Sequence, residues 1–93
     1  MKKIFSNVDK DKLLHIILKK EDVKTRRLNV VEDHEFLQLA AMRLPAGKRF
    51  RPHKHVYCEK VSTIAQESWV VITGKVKAIF YDLDDKMIAE ETL

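Results

Sequence analysis

From Phe36 onward the chain alternates short apolar, β-branched segments with turn signals, and this pattern restricts it to antiparallel β structure. Phe36–Leu44 reads as a strand, closed by the turn Pro45-Ala46-Gly47. Phe50–Tyr57 reads as the next strand. Pro52 has no N–H to donate, so that strand is expected at a sheet edge or with a bulge. Cys58–Gln66 has mixed polarity and reads as a loop. Ser68–Thr73 is rich in β-branched and aromatic residues and ends at Gly74. Lys75–Tyr81 then alternates, with Val76, Ala78 and Phe80 on one side. Asp82-Leu83-Asp84-Asp85 marks a hairpin turn into a last strand over Met87–Leu93. Strands this short and this closely spaced favour a sandwich or barrel.

The first 35 residues are different. They are highly charged and lack strand alternation. The dense apolar run within Lys12–Lys20 fits a short helix or a buried strand, and the isoleucine pair favours a strand over Leu14–Lys19. Arg26–Val31 reads as a short strand, and Asp33-His34 as turn residues. Ninety-three residues suffice for one small domain with a thin core. The start Met1-Lys2-Lys3-Ile4-Phe5 resembles the charged end of a signal peptide, but Ser6, Asn7, Asp9 and Asp11 interrupt it. No apolar run approaches the roughly 18 residues of a membrane span. With a single cysteine, Cys58, no internal disulfide can form, and a cytoplasmic protein is expected.

The chemistry concentrates in one spacing, Gly47-x5-His53-x-His55, followed by Glu67-x6-Gly74. On a strand His53 and His55 face the same side, about 6.5 Å apart, while Lys54 faces the other. Two imidazoles at that distance can converge on one ion with bonds of about 2.0–2.1 Å. Glu67 opens the next strand and can bring a carboxylate to the same face. Two histidines and a carboxylate suit non-haem iron, and manganese, nickel, zinc or copper can occupy similar sites. Glu59 competes for the carboxylate role, since it follows His55 after three residues. Glu67 is preferred because Gly74 stands at the matching distance and the strand Trp69–Thr73 follows. Set against this is the plain alternative of two histidines on a solvated strand face.

Around the histidines lie Arg43, Lys48, Arg49, Arg51 and Lys54, the densest basic group in a chain of net charge +4. They read either as a solvated face or as attraction for a phosphate or carboxylate ligand. No recognition-helix pattern is present, nor the aromatic–basic interleaving used on single strands, so nucleic acid is not expected. Trp69 shares the parity of Glu67 and fits either the site or the core. His15 and His34 are isolated and read as surface residues. Cys58 reads as an ordinary loop cysteine near the histidine strand.

The residues Phe36–Ala40, Pro52–His55 and Gln66–Gly74, with the two spaced half-motifs, resemble the first motif of the cupin superfamily, with an insertion before the glutamate. Within it the chain is similar to small single-domain cupins found with sugar-nucleotide and surface-polysaccharide biosynthesis. The resemblance implies an all-β, jelly-roll barrel with a divalent metal (Fe, Mn, Ni or Zn) held inside by His53, His55 and Glu67. It implies either an isomerase, epimerase or dioxygenase acting on a sugar or nucleotide-sugar, or a non-catalytic module that binds one. In the enzyme case Glu59 serves as general base and Tyr57 as general acid. The family's second motif does not follow, and no histidine lies after His55. The barrel is therefore expected to be incomplete at its C-terminal end, with homodimeric strand contacts covering the unpaired edges.

Overall fold

The computed structural model describes Met1–Leu93. It is all-β, as the alternation predicts: six strands form three two-stranded antiparallel sheets, and the one helical feature is a 3-10 turn at Lys20–Asp22. No helix is long and apolar enough to cross a membrane. The chain divides into two units. One contains Met1–Asp22 and Ser68–Leu93, the other Val23–Glu67.

In the first unit, β1 (Lys2–Phe5) pairs with β2 (Leu13–Ile17), with a register shift between Ile4 and Phe5. The loop between them closes through Ser6 N donating to Lys12 O at 2.9 Å and Lys12 N donating to Asp9 O at 2.9 Å. β2 overlaps the strand expected over Leu14–Lys19, beginning one residue earlier and ending two residues sooner. β1 is not expected from sequence, because Lys-Lys-Ile-Phe is too short to show a period of two. Ile4 and Ile17 are the buried apolar residues of this unit.

The expected C-terminal hairpin is present. The fifth strand in chain order, Lys77–Tyr81, pairs with the sixth, Met87–Thr92, and Val76 and Leu93 extend the ladder with reciprocal 2.8 Å bonds. Asp82 N donates to Lys86 O at 2.8 Å across the turn, and Asp85 takes a left-handed φ of 62°. The turn of Ser6–Asp9 and the turn at Asp82 are tied by a polar knot. Ser6 Oγ donates to Asp82 Oδ1 at 2.5 Å, Asn7 N donates to Asp82 Oδ2 at 2.6 Å, and Leu83 N donates to Asp82 Oδ1 at 2.7 Å. Ser6 Oγ in turn accepts from Val8 N and Asp9 N. Ser6 and Asp82 are 2% and 6% exposed, so this knot takes part of the place of an apolar core.

In the second unit, β3 (Arg27–Asn29) pairs with β4 (Ala40–Met42), and Val30–Leu39 and Arg43–Arg26 backbone bonds flank the ladder. Both strands lie within expected segments, although β4 keeps only three residues of Phe36–Leu44. The Asp33-His34 turn forms, with Glu35 N donating to Glu32 O at 3.1 Å, and Lys48 N closes the Pro45–Gly47 turn onto Pro45 O. Gly47, at φ 74°, supplies the left-handed residue that this turn needs.

Two expected strands, Phe50–Tyr57 and Ser68–Thr73, are in no ladder. Strand propensity is present in both, but a strand exists only when its N–H and C=O groups find a partner, and neither segment has one. Pro52 also removes a donor from the first. The side chains that were to face a core are open: Val56, Trp69, Val70 and Ile72 are all more than 80% exposed. The three sheets do not close into a barrel.

Candidate functional site

The half-motif histidines lie beyond the Pro45–Gly47 turn, on the unpaired segment of the second unit. Both are exposed. Their ring centroids are 6.0 Å apart and their planes tilted by 36°, as expected for side chains two residues apart on one side of the backbone. A metal-bound imidazole has its ring centre about 3.2 Å from the ion, from a bond of about 2.0–2.1 Å plus the ring radius, so two rings can share an ion at centroid separations up to about 6.4 Å. The observed separation falls inside that bound.

His53 Nδ1 is 3.1 Å from Arg51 O. A carbonyl only accepts, so this contact is a hydrogen bond in the tautomer with the proton on Nδ1, the one that leaves the Nε2 lone pair for a metal. Metal-binding histidines are oriented in this way by a donor bond from the other nitrogen.

The carboxylate half of the expected site is not gathered to the histidines. No group of three or more His, Cys, Asp and Glu side chains is placed to hold an ion. Glu67 and Glu59 are exposed. What is organised is the approach to Glu67: Gln66 Nε2 donates to Glu35 Oε2 at 2.5 Å, and Gln66 Oε1 accepts from Leu37 N at 3.3 Å. Lys60 Nζ pins the loop further by donating to Asp33 O at 3.0 Å and Glu35 O at 2.7 Å. Gln38 Nε2 reaches the carbonyls of Glu32, Asp33 and Glu35. From sequence Gln66 reads as flanking the site and fit to line a pocket, with Trp69 and Tyr57; its anchoring contacts, and those of Gln38, join distant residues and leave no periodic signal.

Tyr57 is 93% exposed, and Cys58 is exposed with its Sγ 3.7 Å from Glu59 O. Lys48 Nζ stands 5.6 Å over the Phe50 ring. His34 is exposed, 3.5 Å from Glu35, as a surface residue would be. His15 is half-buried in the first sheet, its ring 5.0 Å from Phe80 and its Nε2 3.4 Å from Tyr81 O, so it belongs to packing rather than to the surface.

A shallow cavity of about 290 Å³ lies in the first unit, lined by Met1, Lys2, Ile17, Lys19, Asp22 and Glu91, and contains none of the motif residues. Its charges satisfy one another. Lys2 and Lys19 flank Glu91 at 2.5 and 3.4 Å and hold its carboxyl below the ordinary value, while the terminal ammonium of Met1 does the same to Asp22 at 2.5 Å. No protein-family model, curated protein or solved structure matches the chain.

Proposed function

We propose that this chain is a metal-binding, cupin-like module that holds a small polar ligand, a sugar or an anionic sugar derivative, through a divalent ion. The carrying observation is the His53–His55 pair, its ring centroids 6.0 Å apart and His53 Nδ1 within hydrogen-bond distance of Arg51 O, so that a small side-chain rotation brings both rings to one ion. Glu67 supplies the third ligand in this reading, with Glu59 as its competitor. The ion supplies Lewis acidity and an open coordination position for a ligand oxygen. Iron, manganese, nickel and zinc all accept two imidazoles and a carboxylate.

Binding is favoured over turnover by exposure. His53, His55, Tyr57, Glu59 and Glu67 all stand in solvent, and nothing around them excludes water as a reacting site requires. The enzyme alternative, an isomerase, epimerase or dioxygenase on a sugar or nucleotide-sugar, places Glu59 and Tyr57 as base and acid and needs a cover over the site. A second copy, pairing strands across the unpaired Phe50–Tyr57 and Ser68–Thr73 segments, is the proposed cover and completes a jelly-roll barrel.

Elemental mass spectrometry of the wild type and of the His53→Ala/His55→Ala variant tests the reading. Near-stoichiometric metal, lost in the variant, supports it. No metal as purified and no uptake of added iron, manganese, nickel or zinc removes it. Glu67→Gln is expected to weaken uptake more than Glu59→Gln. Calorimetry with sugars, run beside product analysis, separates a binder from an enzyme.

A further inference from the structure

From Phe36 to Cys58 the chain contains no Asp or Glu but has five cations, Arg43, Lys48, Arg49, Arg51 and Lys54. The rest of the sequence then has 13 cations against 14 carboxylates, so the whole positive excess resides in this one stretch. All five side chains are exposed. None of the five is in an ion pair. Of the two acids that bound the stretch, Glu35 is engaged by Gln66 and lies beside His34, and Glu59 is exposed and pairs with none of the five. Five uncompensated cations within a dozen residues form a field that a polyanion would neutralise.

Two aromatic rings are interleaved with them. Phe50 is 58% exposed and Tyr57 93% exposed, and Lys48, Arg49, Arg51 and Lys54 surround Phe50 in sequence. On a paired barrel strand these two rings, seven residues apart, would face opposite sides, and one would be covered. With the strand unpaired both are open. From sequence two rings among five cations are too few to count as the interleaving used on single strands; what the structure adds is that both rings are exposed. Lipid insertion is the weaker match, since Val56 is the one other large apolar side chain between Phe50 and Tyr57.

We infer that Arg43–Tyr57 is a binding strip for single-stranded nucleic acid: the cations track the phosphates, and Phe50 and Tyr57 stack on bases. The strip binds without strong sequence preference, because stacking and phosphate contact are common to all bases. It does not rest on the metal reading, and the test is run in EDTA so that the two fail separately.

The experiment is fluorescence anisotropy of the full chain with labelled oligothymidylate and oligouridylate of about 15 nucleotides, a length within the usual single-strand site sizes. The expected plot of log affinity against log salt has a slope between about −2 and −3.5, the limit for five phosphate contacts on a single strand. Arg49→Gln/Arg51→Gln should flatten that slope by about 1.4. Phe50→Ala/Tyr57→Ala should weaken binding roughly tenfold or more with the slope unchanged. His53→Ala/His55→Ala should bind as wild type in EDTA. Circular dichroism checks that each variant keeps its β signal. Absence of binding at low salt overturns the inference. So does equal binding to heparin or to phosphatidylserine vesicles with no response to the aromatic double variant, which would show attraction to any polyanion.

Discussion

Ser6 and Asp82 connect residues 76 positions apart through one buried hydroxyl and one buried carboxylate. Ser6→Ala removes one donor to Asp82, which keeps the Asn7 and Leu83 amides, and the acceptor for the Val8 and Asp9 amides. It should cost about 1 kcal/mol, read as a lower urea midpoint. The Ser6 hydroxyl, followed by the Asn7 and Leu83 amides, holds the Asp82 carboxyl below its ordinary value of 3.8, with desolvation opposing them. A carboxyl depressed in the folded state contributes stability that is full above its unfolded pKa and is lost as pH falls through the folded value. Acid unfolding should therefore steepen below about pH 4. Asp82→Asn should flatten that slope, and an NMR titration of Asp82 should place it below the ordinary 3.8. Asp22 and Glu91 are shifted in the same direction and add to the acid limb.

Among the elements, the C-terminal hairpin carries the clearest local signature. Its turn places Asp85 at φ 62°, where a residue with a Cβ is strained and glycine is not. Asp85→Gly should stabilise by about 0.5–1 kcal/mol, a rise of a few degrees in Tm, and Asp85→Val should do the opposite. Amide exchange should divide the chain in the same way as the ladders do: Ile79, Phe80 and Ala89 slow, Arg49–Val61 and Trp69–Thr73 fast. Sequence reading found the hairpin because alternation and an aspartate-rich turn are local properties. It found β2 from its isoleucine pair, and β3 and β4 as short apolar segments beside turn residues, with ends misjudged. It anticipated that the His53 and His55 rings lie near each other, since two residues apart on an extended backbone they are neighbours, though not that their segment stays unpaired. It did not find β1, whose four residues are too few for a pattern, or the Ser6–Asp82 and Gln66–Glu35 contacts, which join distant polar residues with no periodic trace. Phe50–Tyr57 and Ser68–Thr73 show the converse: their residues favour strands, yet pairing is a property of two segments and cannot be read from one.

At the scale of the whole molecule, the exposed apolar side chains are the main liability and the basis of the proposed dimer. Trp69, the single tryptophan, is 81% exposed and reports on it directly. Dilute protein should emit like free tryptophan, and emission should shift to the blue, with less iodide quenching, as concentration rises and sedimentation shows a dimer. Trp69→Lys/Ile72→Lys should keep the protein monomeric. A clean monomer with unshifted emission at micromolar concentration would remove the dimer. Finally, the first unit is built from both ends of the sequence, with Val23–Glu67 between its two pieces. On the ribosome, Ser6 must wait for Asp82, and Lys2 for Glu91, before either contact can exist. The N-terminal hairpin therefore emerges early but is secured late, and its lifetime as an unfinished intermediate is set by translation speed through some 75 residues rather than by the hairpin itself, at about 5–20 residues per second.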